Sequence, residues 1–218
     1  MPLSDAAANT SLDDMFNAGT GFAIAADPWL QLHSGDPGVN GTTNVVSVGR
    51  VQFACPAAAA RTLSNTANVD FVSMPAVASP GVVAWSVWDS QGSGLPPTGG
   101  ICFWTGWFSN QNYTIQVDDE DLATDDLESP THGLLADDRV VFEVIEAFSI
   151  PAGLTAGTLY FVLSAGNVDD MFRVSTTSVG AAVNITAEGQ ALARKVVGKV
   201  TNSGDTFRIN AGDLDLFL

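Results

Sequence analysis

Residues 82–90 read VVAWSVWDS. Val83, Trp85 and Val87 alternate with Ala84, Ser86 and Trp88, the period of two that sends successive side chains to opposite faces of a strand. Working outward, the same rhythm recurs. Upstream lie WLQLH (29–33), VVSVGRVQFAC (45–55) and VDFVSM (69–74); downstream come ICFWTGWFS (101–109) and YTIQV (113–117). These runs are rich in Val, Ile, Phe, Trp and Thr, residues that fit a pleated, half-buried surface. SGDPGVNG (34–41), VASPG (77–81) and SQGSGLPPTGG (90–100) separate them with turn chemistry. Many short strands at that spacing predict a sandwich or barrel. The expected fold class is mostly β, an antiparallel β-sandwich.

Two departures from that rhythm shape the rest of the chain. LSDAAANTSLDDMFNAG (3–19) carries Ala7, Ala8, Leu12, Met15 and Phe16 at helical spacing, with Ser4 as N-cap and Gly19 as terminator, so a short N-terminal helix is expected. From residue 117 the character changes. VDDEDLATDDLES (117–129) reads as an acidic, solvated linker, and HGLLADDRVVFEV (132–144), IPAGLTAGTLYFVLSAG (150–166) and DDMFRVSTTSVGAAVNIT (169–186) read as turns and short strands. Strand pattern of the first kind returns in KVVGKV (195–200), GDTFRIN (204–210) and DLDLFL (213–218), the last expected to be pinned into a sheet. The expected organisation is therefore an insertion: residues 1–116 plus 192–218 form one domain, and 117–191 a small inserted β module.

The chain has 8 Lys and Arg against 24 Asp and Glu, a formal net charge of −16. That balance lacks the cation density that grips phosphate, so neither nucleic acid nor an anionic membrane surface is an expected partner. No apolar run approaches a membrane-spanning length. MPLSDAAANTSLDDMF lacks the basic start and apolar core of a secretory signal, so synthesis in a cytoplasm is expected. Cys55 and Cys102 lie outside any CxxC or Cys/His cluster and read as separate, buried thiols rather than zinc ligands.

Candidate chemistry is sparse. His33 and Asp36 in LQLHSGDPG (30–38) could be a catalytic pair, but no nucleophile stands beside them in sequence. A strand ending at His33 and a turn opened by Asp36 and Pro37 explains the same residues. His132 with Asp137 and Asp138 could ligate a metal, or could sit in two turns framing a strand. The acidic run Asp118, Asp119, Glu120, Asp121, Asp125 and Asp126 fails the EF-hand pattern, because the sixth position from Asp118 is Ala123 where a glycine is needed. Trp85, Trp88, Trp104 and Trp107 fall at strand spacing, so about half should point into the core; two on an exposed face would make a glycan- or protein-binding patch. No GxSxG, P-loop, GxGxxG or HExxH motif is present. The expectation is a non-enzyme with no catalytic, cofactor or metal residues.

An ordered set of motifs adds to this. PLSDAAANTSLDDMF (2–16), WLQLHSGDPGVNGTTNVV (29–46), GRVQFACPAA (49–58), WSVWDSQGSG (85–94) and GDTFRINAGDLDLFL (204–218) resemble a group of tailed-bacteriophage virion proteins of the minor capsid, head-fibre or minor tail type. SPTHGLLADDRVVF (129–142) and the two segments after it are similar to a small β module that recurs in phage structural proteins. The resemblance implies a structural role on a virion and brings no catalytic residues. From it we expect a decoration or minor capsid protein on the outer head surface, with a tail, baseplate or fibre protein as the other reading. Expected partners are the major capsid protein or other virion proteins and further copies of this chain, a trimer for example.

Overall fold

The computed structural model describes residues 27–46, 48–55, 59, 62–145 and 148–217. The expected N-terminal helix lies outside the described residues. Within them the chain is β throughout, with no helix. In chain order the strands are β1 (Trp29–His33), β2 (Val51–Gln52), β3 (Thr62–Ser64), β4 (Val69–Phe71), β5 (Val77–Val82), β6 (Ala84–Trp88) and β7 (Cys102–Trp107). They continue with β8 (Ser109–Val117), β9 (Asp119–Asp121), β10 (Asp126–Glu128), β11 (Arg139–Val144), β12 (Leu159–Val162), β13 (Met171–Phe172), β14 (Val174–Ser175) and β15 (Ala191–Val196). The last are β16 (Lys199–Thr201), β17 (Phe207–Ile209) and β18 (Asp215–Phe217).

Two compact units emerge, one drawn from residues 1–106 and 198–218, the other from 107–197. The breaks fall at 106/107 and 197/198 rather than at 116/117 and 191/192. The strands β8 and β15 account for the difference. They pair antiparallel from Val117↔Ala191 to Ser109↔Val196, which ties YTIQV to the second unit and not to the first.

In the first unit β1 is central to a sheet ordered β2-β1-β6-β7, with Leu30 opposite Val87 and Gln31 opposite Ser86. Three further antiparallel pairs join β16 to β5, β17 to β4 and β18 to β3. DLDLFL is thus paired, with Leu216 opposite Leu63. VASPG is not a turn but part of β5, which includes a cis Ser79–Pro80 bond. Proline is tolerated there because β5 belongs to a two-stranded pair whose register shifts between Lys199 and Thr201.

The second unit has a five-stranded sheet, β14-β12-β11-β15-β8, and a three-stranded one, β13-β10-β9. Period-two burial builds its core: Ile115 and Val117, Val140 and Phe142, Tyr160 and Val162, and Ala191 and Ala193 join Leu127 and Phe172 in one cluster. Ala193 stands opposite both Phe142 and Ile115, a small residue between two large ones across three strands. The acidic segment is not a linker. Asp119–Asp121 and Asp126–Glu128 form the hairpin β9–β10, with Asp121 opposite Asp126 and Asp119 opposite Glu128. Like charges directly opposite are unfavourable. Arg173 offsets one pair, donating from Nε and Nη2 to the two oxygens of Asp126 at 2.6 and 2.8 Å. We expect Asp126→Ala to destabilise the second unit by about 1.5–3 kcal/mol in urea titrations, the range for a lost hydrogen bond between charged groups.

One glycine in this unit is required by a close approach. Gly153 has φ +113°, and a Cβ there would lie 2.2 Å from the Asn184 carbonyl oxygen. Backbone on both sides leaves no flexible side chain to give way. Gly153→Ala should therefore lower stability by roughly 1–3 kcal/mol, read as a fall in the denaturation midpoint. An unchanged midpoint would remove the constraint.

Candidate functional site

Residues facing each other across β1 and β6 share a side of the sheet. Leu30, Leu32 and Val87 lie on one side; Gln31, His33, Ala84, Ser86 and Trp88 lie on the other. Both sides are buried, and only Trp85 and Trp29 are partly open. The polar side is covered by the segment after the first turn, whose carbonyls satisfy it. Gln31 Nε2 donates to the carbonyls of Val46 and Val48 at 3.4 and 3.3 Å. His33 Nδ1 lies 2.8 Å from the Thr43 carbonyl and Nε2 2.7 Å from Ser86 Oγ. The carbonyl can only accept, so the proton sits on Nδ1 and Ser86 donates to Nε2. Ser86 Oγ in turn accepts from the Trp88 indole N–H at 2.7 Å. Burial pushes the His33 pKa down to about 4, opposed by the Thr43 carbonyl and reinforced by Arg50. The imidazole is neutral at pH 7.

A serine hydroxyl on a histidine nitrogen is the beginning of a nucleophile–base pair. The surroundings prevent that use. His33 and Ser86 are both 0% exposed, so no substrate carbonyl reaches the hydroxyl. The outer nitrogen faces a backbone carbonyl, which cannot stabilise an imidazolium as a carboxylate does. Asp36 is occupied in its own turn, where Oδ1 accepts the Gly38 N–H at 2.8 Å. His33 and Asp36 are thus a strand end and a turn, and the serine that sequence order hid, 53 residues away, completes a buried structural chain.

Beside this chain lies a cleft of about 440 Å³ between the turn after β1 and the loop joining β6 to β7. Arg50 and Trp88 line it, with Asn40 and Thr42 from one loop and Thr98 and Ile101 from the other. The Arg50 guanidinium lies 3.5 Å over the Trp88 ring. Its Nη1 donates to the carbonyls of Ser90 and Gly99, both at 2.9 Å, holding the second loop down. Gly41 seats the first loop: a Cβ there would stand 2.6 Å from Cys102 Sγ and 2.9 Å from Trp88. Burial lowers the proton affinity of Arg50, and Cys102 and Asp89 oppose that shift.

The remaining candidates do not converge. His132 Nε2 donates to the carbonyls of Val168 and Met171, and Nδ1 accepts the Leu134 N–H, while Asp138 accepts from Leu135 N–H and Lys195. Residues 132–135 are not a strand; they form an irregular segment between the turns at 130–131 and 136–137. Glu120 is buried; desolvation raises its pKa, and its Oε2 accepts the Gly189 N–H at 3.1 Å. Among the described residues no three His, Cys, Asp or Glu side chains are grouped to hold a metal ion. None of the five tryptophans is exposed. Trp88 is buried under Arg50, and Trp85 covers Gly106, where a Cβ would meet its ring at 2.4 Å. Both cysteines are free and half-buried, and burial pushes the Cys55 thiol up to about 12.

A protein-family model described as "Podophage GP4 fiber I protein gp80" matches residues 2–128. No curated protein and no solved structure matches the chain.

Proposed function

We propose that this chain, which belongs to the podophage GP4 fiber I protein gp80 family, is a fibre component of a tailed-phage virion. The family match is the observation that carries this reading. It extends over residues 2–128 and therefore includes β1 to β10. It favours a fibre over the outer-head decoration that the motifs first pointed to, since the family is described by its fibre. The antiparallel strand pairs of the first unit then serve as a sandwich-type scaffold, and the second unit as a module carried within it.

The protein acts by binding rather than by catalysis: the nucleophile–base contact of Ser86 with His33 is sealed. Its partners are other virion proteins and further copies of itself in a small cyclic assembly. A net charge of −16 keeps it off nucleic acid and anionic membranes. It is made in the host cytoplasm and resides in the particle.

Two measurements on purified virions test this. Quantitative mass spectrometry gives copies relative to the major capsid protein, and gold-labelled antibody places them. A low, fixed copy number with label on projecting fibres is expected. A ratio near a simple fraction of the capsid lattice, with label spread over the head, would overturn the fibre reading in favour of decoration.

A further inference from the structure

Two copies of a chain with a formal net charge of −16 repel one another. They approach most easily where neither presents a carboxylate. In the second unit, exposed apolar side chains sit beside carboxylates. Phe148 lines a cleft with Asp118, Asp119 and Glu188, and Leu135 and Val168 line another with Asp169. The cleft floored by Arg50 and Trp88 in the first unit differs: among the described residues no carboxylate lines it. Between Asp89 and Asp118 the sequence carries no charged residue, the longest such interval in the chain. That interval supplies the loop from β6 to β7, one wall of the cleft. Asp89 itself is occupied, its Oδ1 accepting from the Ile101 N–H and the Ser90 hydroxyl, each at 2.8 Å. Arg50 is only 4% exposed, so its charge is not offered at the surface.

The rim of this cleft is apolar and open. Val39, on the turn after β1, is 94% exposed; on the loop from β6 to β7, Leu95 is 71% and Ile101 60% exposed. Ile101 lines the cleft, as do Asn40 and Pro96, the chain neighbours of Val39 and Leu95. Large apolar side chains grouped in the open mark an interaction surface. The loop carrying two of them is held in place. Ser93 and Thr98 exchange backbone hydrogen bonds at 2.9 and 2.8 Å, and Arg50 Nη1 donates to the Ser90 and Gly99 carbonyls. A surface already fixed loses little freedom when it is covered. We propose that copies of this chain meet at this rim, with Val39, Leu95 and Ile101 of one copy packed against the rim of a second. The inference rests on the reading that copies assemble, and names the surface through which they do. A second copy fits better than a basic partner, because the cleft offers no carboxylate to a cation. It fits better than an anionic partner, because the arginine there is buried.

Light scattering across a dilution series of the full chain tests this. The wild type should assemble, and more tightly at high salt than at low, because screening removes part of the repulsion between copies. Leu95→Glu and Ile101→Glu each add a charge to the neutral rim, and should raise the dissociation constant about tenfold or more. Leu135→Glu, at a position 69% exposed on the second unit, should leave it unchanged. If both rim variants assemble as the wild type does, the surface is wrong and the reading that copies assemble stands. If the wild type is a monomer throughout, that reading fails and the inference with it. Hydrogen exchange on the wild type decides the surface without any variant. Amides of 90–101 should exchange more slowly as the chain is concentrated, and those of 132–135 should not change. An assembling wild type whose 90–101 amides keep one rate at every concentration overturns the proposal.

Discussion

Phe142→Ala should remove about 3–5 kcal/mol of stability, the usual cost of emptying a fully buried aromatic site. Phe142 is 0% exposed and meets Tyr160 edge-on, with ring centroids 5.6 Å apart. Its strand is flanked by β12 and β15 on either side, so the backbone cannot collapse into the space. Ala193 opposite it is already small and cannot refill the volume. Every residue of its core cluster lies in 107–197, so the loss should be confined there. Hydrogen exchange measured by segment checks this. Amides of β11 and β15 should exchange faster in the variant, while those of β1 and β6 keep their wild-type rates. Equal acceleration in both units would show that they unfold as one.

Acid should destabilise the first unit through His33. The unfolded imidazole titrates near its ordinary value of about 6.5 and the folded one near 4. The unfolded chain therefore takes up the proton first. The stability this group contributes is complete above about pH 6.5, declines as pH falls, and is gone below about 4. The separation of the two values corresponds to about 3 kcal/mol. Structurally, a proton on Nε2 would face Ser86 Oγ, which must then turn its own hydrogen away and surrender a bond inside a sealed layer. Asp70 and Asp126, both held low by arginine hydrogen bonds, also favour unfolding in acid. His33→Gln separates these contributions. Urea midpoints between pH 7.5 and 4 should fall more steeply for the wild type than for the variant. Parallel profiles would refute a buried neutral imidazole.

How far the sequence could be read follows from the range of each interaction. The alternation in WLQLH and VVAWSVW is local, so both strands were legible. What covers their second face was not. Alternation implies one wet face, and the structure puts Gln31, His33 and Ser86 under loop carbonyls instead. VASPG and VDDEDLATDDLES were misread for the opposite reason. Their residues disfavour strands locally, and a distant partner decides: Lys199–Thr201 for the first, and Arg173 on Asp126 for the second. The arginine fork at Asp126 spans 47 residues, and Arg50 reaches Gly99 across 49. Single-sequence patterns do not encode such pairings. The motifs and the family match agree on a phage structural protein, whereas the match does not support the outer-head decoration expected from the motifs; residue physics alone reached only an acidic, mostly β chain.

The pairs β5–β16, β4–β17 and β3–β18 are nested one inside the next around the second unit. During synthesis the ribosome completes all of 107–197 before any of β16 to β18 exists. The middle of the chain can thus fold while the first unit still waits for three partners. Once β8 and β15 have paired, Ser109 lies opposite Val196, and the chain enters and leaves the second unit at neighbouring points. A separation of more than a hundred residues between β5 and β16 then closes as a loop of about thirty residues, with part of its loop entropy already spent. Each later pair forms from strands further out in the sequence on both sides. The order of assembly is written from the inside outward, and the first unit, although it begins the chain, is the last to be completed.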